Sequence, residues 1–308
     1  MPTKQFEPIL YRELRKVEVS QIIKITSPLL QEIVNYATNA FIRCEQTTQG
    51  SVPDEPLPVF NAYHQIISMI DGIEVLLSNS CVIPCIPMLR AVFEALLTLQ
   101  YILEKDARKR SFAWLVCYLH NRIDMYERFD TTKLKGKQFT SNLIDEKLDT
   151  YFLLPPTATI QERIGNLESL LKKPHYVEAE VERKRMAQKK RKANWYSFYD
   201  GPSNIYELAK YLKKAATYDF LYRQWSSYIH SDDLSHFLGN NKKAILNVIR
   251  SSEDIQLICT FTATFGIEST RILLNHYRPG EMRSFGKWYI TEIRDSYQKI
   301  SSLKKYKT

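Results

Sequence analysis

Residues 88–103 read Met-Leu-Arg-Ala-Val-Phe-Glu-Ala-Leu-Leu-Thr-Leu-Gln-Tyr-Ile-Leu. A helix drawn from this stretch is apolar nearly all round, which is typical of the central helix of a helical protein. Arg90 and Glu94 lie one helical turn apart and can pair along it, and two such charges argue against a membrane span. The stretch therefore predicts a buried helix from about Ile86 to Glu104. Its ion pair either fixes the packing of the helix or supports a polar site.

The rest of the chain predicts the same fold class. It has 308 residues but only nine glycines, fewer than a nucleotide-binding α/β fold or an all-β sandwich normally needs for its turns. We therefore predict an all-α, multi-helix bundle with helical additions at both ends. The predicted divisions are an N-terminal lead-in (1–58), a bundle domain (59–277) and a C-terminal helix with a lysine-rich tail (278–308). Further helices are predicted near 27–46, 59–79, 108–129, 157–172, 177–192, 218–230 and 252–277, with the segment after Thr131 as a connector.

Cysteine usage and motifs limit the chemistry. The five cysteines are an odd number, and we recognise no signal peptide, so we expect a reducing, cytoplasmic environment and no membrane. Cys81 and Cys85 have a spacing that two metal ligands can use, but Pro84 interrupts them and no second Cys/His pair lies near. No Walker-type loop, Gly-x-Ser-x-Gly elbow or His-Glu-x-x-His pair occurs. We expect neither a metal nor a cofactor.

Residues 218–230 carry an unusual set of polar side chains. Arg223 and His230 are seven residues apart, which at about 100° per residue places both on one face of an α-helix. Asp219 lies one turn before Arg223, and Ser226 and Ser227 lie between the pair. The stretch predicts a stripe that can bind a phosphate-sized ligand.

The net charge of +9 is concentrated in a basic segment at 172–192, where nine Lys or Arg face three Glu. Such a run is either a solvated helix face or a contact for a polyanion, most readily a nucleic acid. The aromatic Trp195 and Tyr196 follow it and offer stacking surfaces for bases. The predicted nucleic-acid contacts are these two residues together with Arg183, Lys184, Arg185, Lys189, Lys190, Arg191 and Lys192.

Three motifs carry a resemblance. They are Leu89-Arg90-x-x-x-Glu94, Trp195-Tyr196-Ser197 and Tyr218-Asp-x-Leu-Tyr-Arg223-x-x-Ser-Ser-Tyr-x-His230. The set resembles a widespread bacterial family of uncharacterised all-helical proteins over roughly residues 60 to 250. Arg223 and His230, with six residues between them, are also similar to the Arg-x(4–6)-His signature of the HEPN (higher eukaryotes and prokaryotes nucleotide-binding) ribonuclease superfamily. Many of its members carry Asn, Asp or His after the arginine, where this chain has Gln224.

The superfamily resemblance implies a HEPN-like helical core that forms a homodimer and joins two Arg–His helices into one RNA-cleaving site. It also implies a toxin or phage-defence role, with a neutralising partner protein. The residue types fit this chemistry, because histidine transfers protons near neutral pH and arginine stabilises a phosphorane. Arg223 and His230 are the predicted catalytic residues, supported by Asp219, Ser226, Ser227, Arg90 and Glu94. The alternative is a non-catalytic helical RNA-binding or scaffold protein in which these groups form a structural network.

Overall fold

The computed structural model describes residues 20–48, 54–148, 156–188, 194–224 and 254–302, and every regular element in these ranges is helical. The all-α, multi-helix fold predicted from the sequence is confirmed. The α-helices are α1 (Ser20–Gln46), α2 (Leu57–Ser78), α3 (Val82–Glu104), α4 (Ala107–Glu127), α5 (Leu134–Asp145), α6 (Thr157–Leu171), α7 (Val177–Gln188), α8 (Ile205–Tyr211), α9 (Ala215–Tyr218), α10 (Ile255–Tyr277), α11 (Met282–Trp288) and α12 (Arg294–Ser302). Residues Asp219–Gln224 and Tyr289–Ile293 form π-helical turns, and Pro174–Tyr176, Trp195–Asp200 and Pro279–Glu281 form 3-10 turns.

Two compact units make up the chain. One contains Met1–Glu104 and Ala209–Thr308, and the other contains Lys105–Leu208. The domain boundaries at 58 and 277 that the sequence suggested stay a prediction.

The core of the first unit is built around α3, as its sequence predicted. Leu89, Phe93 and Leu96 are fully buried, and the Phe93 ring packs against that of Phe265 on α10 at 5.6 Å between centroids. Helices α2 and α10 pack against α3, and α1 packs against both of these helices. At Gly266, α10 approaches its neighbours so closely that a Cβ atom would lie 2.7 Å from Ile33 and 2.9 Å from Ile70. A larger residue at this position would force the side chains of Ile33 and Ile70 to shift.

Helix α1 begins earlier than predicted. The Ser27–Pro28 pair indicated a helix start, but the helix runs from Ser20 and contains Pro28. Proline lacks the N–H that would bond back one turn, so α1 lacks one backbone hydrogen bond there. Ser27 does not act as a cap; its hydroxyl donates to the buried Glu74 of α2, which also accepts from Gln31 and Ser78. The tertiary contact overrides the local signal.

The second unit contains a helix that sequence reasoning missed. The segment after Thr131 was predicted as a connector, whereas Leu134–Asp145 forms α5. Its composition is polar, and only Gly136 and Leu143 are buried, so no strong apolar stripe marks it. Asp130 organises its start by accepting hydrogen bonds from the Thr132 N–H at 3.0 Å and from the Thr132 hydroxyl.

Two of the described helices, α3 and α10, are long and apolar enough to cross a membrane by length and composition alone. A little over half of each span is buried inside the protein, and both helices contribute to the core of the first unit. Core helices of soluble proteins pass the same test, so these two are consistent with a soluble protein.

Candidate functional site

Arg223 lies on the π-helical turn Asp219–Gln224, which follows α9 directly. Its Nε atom is 2.9 Å from Oδ1 of Asp219, one turn earlier, and its side chain is 72% exposed. Leu221 anchors the turn in the core, and Phe220 packs on Phe261 of α10. The turn therefore presents an oriented guanidinium group to solvent from a fixed backbone. Single π turns inside helices occur frequently at functional sites.

Tyr222, the residue before Arg223, joins the turn to α3. The Arg90 guanidinium lies over the Tyr222 ring, 3.7 Å from its centroid, and the Tyr222 hydroxyl donates to Glu94. Arg90 Nε is also 3.4 Å from Glu94 Oε1, which confirms the predicted pair along α3. Tyr218 stacks on the Tyr222 ring at 4.3 Å. These contacts form one cluster, the Arg90–Glu94–Tyr222 cluster.

Electrostatics within this cluster favour a neutral phenol and a charged guanidinium. Burial and the neighbouring Glu94 carboxylate raise the pKa of Tyr222 well above its ordinary value. Burial opposes the charge on Arg90, but the hydrogen bonds and charges of Tyr222 and Glu94 outweigh it and raise the pKa of Arg90. Tyr222 therefore remains a hydrogen-bond donor, and Arg90 remains a cation, throughout the physiological pH range.

The structure thus brings together parts of two motifs that are far apart in the chain. Arg90 and Glu94 support the segment that carries Asp219 and Arg223 through Tyr222. Sequence reasoning gave Tyr222 no part in the candidate site, whereas its ring packs against Arg90 and its hydroxyl bonds to Glu94. The sequence feature that could have indicated this role is the position of Tyr222 next to Arg223 in the motif of residues 218–230.

Other predicted residues of this site cannot be placed. His230, Ser226 and Ser227 lie outside the described residues, so a shared face for Arg223 and His230 stays a prediction. The prediction assumed uniform α-helical geometry from Tyr218. That assumption is wrong for residues 219–224, because the π turn has more residues per turn than an α-helix.

The basic segment is partly neutralised within its own unit. Arg185 of α7 donates to both carboxylate oxygens of Glu182 at 2.7 Å and to Asp200 at 3.1 Å. Glu182 also accepts the Tyr199 N–H at 2.8 Å, so the pair fastens the 3-10 turn Trp195–Asp200 to α7. Arg183 approaches Glu180 at 3.6 Å, whereas Lys184 is exposed. Lys189, Lys190, Arg191 and Lys192 lie outside the described residues.

The two predicted stacking residues lie on the same 3-10 turn. Trp195 and Tyr196 are both half-buried, with their rings edge to face at 5.6 Å. They retain partial exposure on a turn that the Glu182–Arg185 pair holds in place. Their role as base-stacking residues stays a prediction.

We expect Arg185→Gln to weaken folding of the second unit, unlike Lys184→Gln, which removes the same charge one residue away. Thermal unfolding should begin about 2 to 4 °C lower for Arg185→Gln and stay unchanged for Lys184→Gln. Arg185 holds the pKa of Glu182 below its ordinary value. The stability from this pair is therefore present above the unfolded pKa, near 4.3, and lost as the pH falls further.

Melting temperatures measured at neutral and acid pH test this difference. Arg185→Gln should show the smaller loss between the two conditions, because it has already lost the ion pair. Equal melting temperatures for the two variants at neutral pH would contradict a structural role for Arg185.

Metal-ligand geometry is absent from the part of the chain that the structure describes, where no group of three or more His, Cys, Asp or Glu side chains is placed to hold an ion. Cys85 donates its thiol to the Cys81 carbonyl oxygen at 3.2 Å, and burial raises the pKa of Cys85 to about 12. Cys85 is therefore a protonated, buried thiol at neutral pH.

Comparison with known proteins gives one match. A family described as a family of unknown function, DUF5677, matches residues 57–245, which is more than half of the chain and includes α3, the basic segment and the Arg223 turn. No curated protein and no solved structure matches the chain.

Proposed function

This chain belongs to the family of unknown function DUF5677, and from the geometry of its own residues we propose that it is a HEPN-type, metal-independent endoribonuclease that cleaves single-stranded RNA. The observation that carries the proposal is the exposed guanidinium of Arg223, oriented by Asp219 on a π turn that Tyr222 fastens to Arg90 and Glu94. An arginine held in this way is prepared to bind a phosphate group before the reaction begins.

The proposed chemistry uses the RNA 2′-hydroxyl as the nucleophile. One His230 accepts the proton of that hydroxyl while its oxygen bonds to phosphorus, and the phosphorus bond to the 5′-oxygen breaks. A second His230 donates a proton to the departing 5′-oxygen, and Arg223 stabilises the charge on the non-bridging oxygens. The products are a 2′,3′-cyclic phosphate and a 5′-hydroxyl, and no metal-bound water takes part.

The need for a proton acceptor and a proton donor leads to the second part of the proposal, a homodimer. One chain supplies a single Arg223 and a single His230, whereas in-line cleavage uses groups on both sides of phosphorus. Two-fold pairing of the 218–230 segment brings two such sets together. Light scattering at micromolar concentration should give twice the mass of one chain. A monomer with full nuclease activity would refute the shared site.

Biologically, this activity suits a toxin or phage-defence effector in the cytoplasm, restrained by a neutralising partner protein. The basic segment would supply contacts to the RNA backbone, chiefly through its exposed lysines, since Arg185 is occupied within the chain.

A direct test is incubation of the purified protein with mixed single-stranded RNA, with and without EDTA, followed by analysis of the new ends. We expect cleavage that survives EDTA and leaves 2′,3′-cyclic phosphates. Cleavage abolished by EDTA, or ends that carry a 5′-phosphate, would contradict the proposed mechanism. Absence of cleavage by the dimer would favour the alternative below.

The alternative is a non-catalytic RNA-binding or scaffold protein. One specific observation favours it, because each side chain of the Arg90–Glu94–Tyr222 cluster contacts the other two within the chain. Such a network can hold α3 and the π turn together without taking part in catalysis. If the protein is a nuclease, Arg223→Ala should reduce its RNA cleavage. If it is a binding or scaffold protein, neither the natural protein nor the variant cleaves RNA, and only binding can be measured.

A further inference from the structure

Helix α4 carries a diagonal row of aromatic and arginine side chains that no motif in the sequence identified. Trp114, Tyr118, Arg122 and Tyr126 follow one another at intervals of four residues and therefore form one ridge along the helix. At about 1.5 Å per residue the ridge is about 18 Å long. Arg163 of α6 adds a second guanidinium at its Tyr126 end. All five residues lie within the second unit.

The side chains of this α4 ridge are arranged as flat stacking surfaces. The Trp114 and Tyr118 rings are nearly parallel, at 12°, with centroids 5.2 Å apart, and Tyr118 is 44% exposed. Arg122 donates to the Tyr126 hydroxyl at 2.7 Å and lies 4.9 Å from that ring centroid, with Arg163 5.7 Å from it. Parallel, partly exposed rings of this kind match the faces of nucleic-acid bases.

No described carboxylate cancels the positive charge of the ridge. Among the described residues, neither Arg122 nor Arg163 has a carboxylate at ion-pair distance. The two carboxylates of α4 are engaged elsewhere: Asp124 pairs with Lys135 at 2.6 Å and Arg128 at 3.2 Å, and Glu127 pairs with Lys133 at 2.7 Å. The ridge therefore keeps two arginines for an external anion.

We propose that the α4 ridge is a binding surface for single-stranded RNA, with bases stacked on Trp114 and Tyr118 and phosphates bound by Arg122 and Arg163. Stacking surfaces next to cations are what a single strand requires, since every base has a flat face and every link a negative charge. A duplex hides its base faces and cannot use the rings. The choice of RNA over DNA rests on the proposed function; the binding surface itself does not.

The test measures binding of a fluorescent 2′-O-methyl oligouridine by anisotropy, using the full-length protein. This probe has no 2′-hydroxyl, so it cannot be cleaved by the proposed chemistry, and binding is read separately from nuclease activity. We expect Tyr118→Ala to weaken binding about tenfold, whereas Tyr118→Phe keeps the ring and binds like the natural protein. Circular dichroism confirms that each variant folds.

The arginines are tested through the salt dependence. The double variant Arg122→Gln/Arg163→Gln should lower the slope of log K against log salt by about 1.4, at roughly 0.7 for each lost phosphate contact. Arg128→Gln is the matched control. Arg128 directly follows α4 and is exposed, but it is already paired with Asp124. The control should leave the slope unchanged.

Three results would overturn the inference. Equal affinities for Tyr118→Ala and Tyr118→Phe would exclude stacking, and a duplex probe bound as tightly as the single strand would exclude recognition of bases. Competition by an acidic peptide that depends on the arginines but not on Tyr118 would identify a protein-docking surface instead. A tighter complex with oligothymidine than with the RNA probe would keep the surface but overturn the choice of RNA. If no cleavage occurs in any assay, the proposed nuclease function fails while this binding result still stands.

Discussion

Arg223→Ala should reduce RNA cleavage at least about a hundredfold, because removing one group that stabilises the transition-state charge typically costs that much in kcat. The fold should remain intact. Arg223 is exposed, and its pair with Asp219 is a surface ion pair worth about 0 to 1 kcal/mol. His230→Ala should cause a comparable or larger loss, through the missing proton transfer. Initial rates on a labelled oligoribonucleotide measure both effects.

The chain offers a close control for this substitution. Arg128 is also exposed, at 60%, and also pairs with an aspartate one turn earlier, Asp124, at 3.2 Å. Arg128→Ala therefore removes the same charge and the same kind of ion pair from a different unit, and should leave the cleavage rate unchanged. Equal losses in the two variants would show that overall charge, and not the position of Arg223, determines the rate.

Phe93→Ala should destabilise the protein by about 3 to 5 kcal/mol, the range for removing a large aromatic side chain from a packed core. Phe93 has no exposed surface and contacts Phe265 of α10, so its loss leaves a cavity beside α3. Urea unfolding followed by circular dichroism measures the change. Val75→Ala on α2, where the side chain is 53% exposed, is the control and should change stability by less than about 0.5 kcal/mol. A small effect of Phe93→Ala would mean that the core around α3 can collapse into the space.

The sequence alone was sufficient for features that depend on neighbouring residues. The apolar surface of 88–103 predicted the central helix, and the spacing of Arg90 and Glu94 predicted their pair along it. The sequence was insufficient for features that depend on contacts between distant segments of the chain. The contacts of Tyr222 with Glu94 join residues 128 apart in the chain, and Ser27 bonds to Glu74 instead of starting a helix. The polar α5 has too few buried side chains to leave a periodic pattern.

For the candidate site, the sequence indicated which residues pair but not the geometry of the turn that carries them. Asp219 and Arg223 do pair, and Arg90 and Glu94 do support their segment. The π turn could not be foreseen, because no residue pattern separates it from an α-helical turn at this length. The basic run was interpreted from charge alone, whereas Arg185 is bound to carboxylates that the sequence could not place beside it in space.

The π turn also makes this part of the chain sensitive to length. A π turn holds about one residue more than an α turn, so the loss of a single codon within residues 219–224 would let the segment close into an ordinary α-helix. A deletion before Arg223 would leave it three residues after Asp219 instead of four, which changes the helical phase between the two paired side chains. Point mutations leave this phase unchanged. In-frame deletions or insertions change it. Among genes for this protein we therefore expect substitutions in residues 219–224 to be more common than changes in the length of the segment.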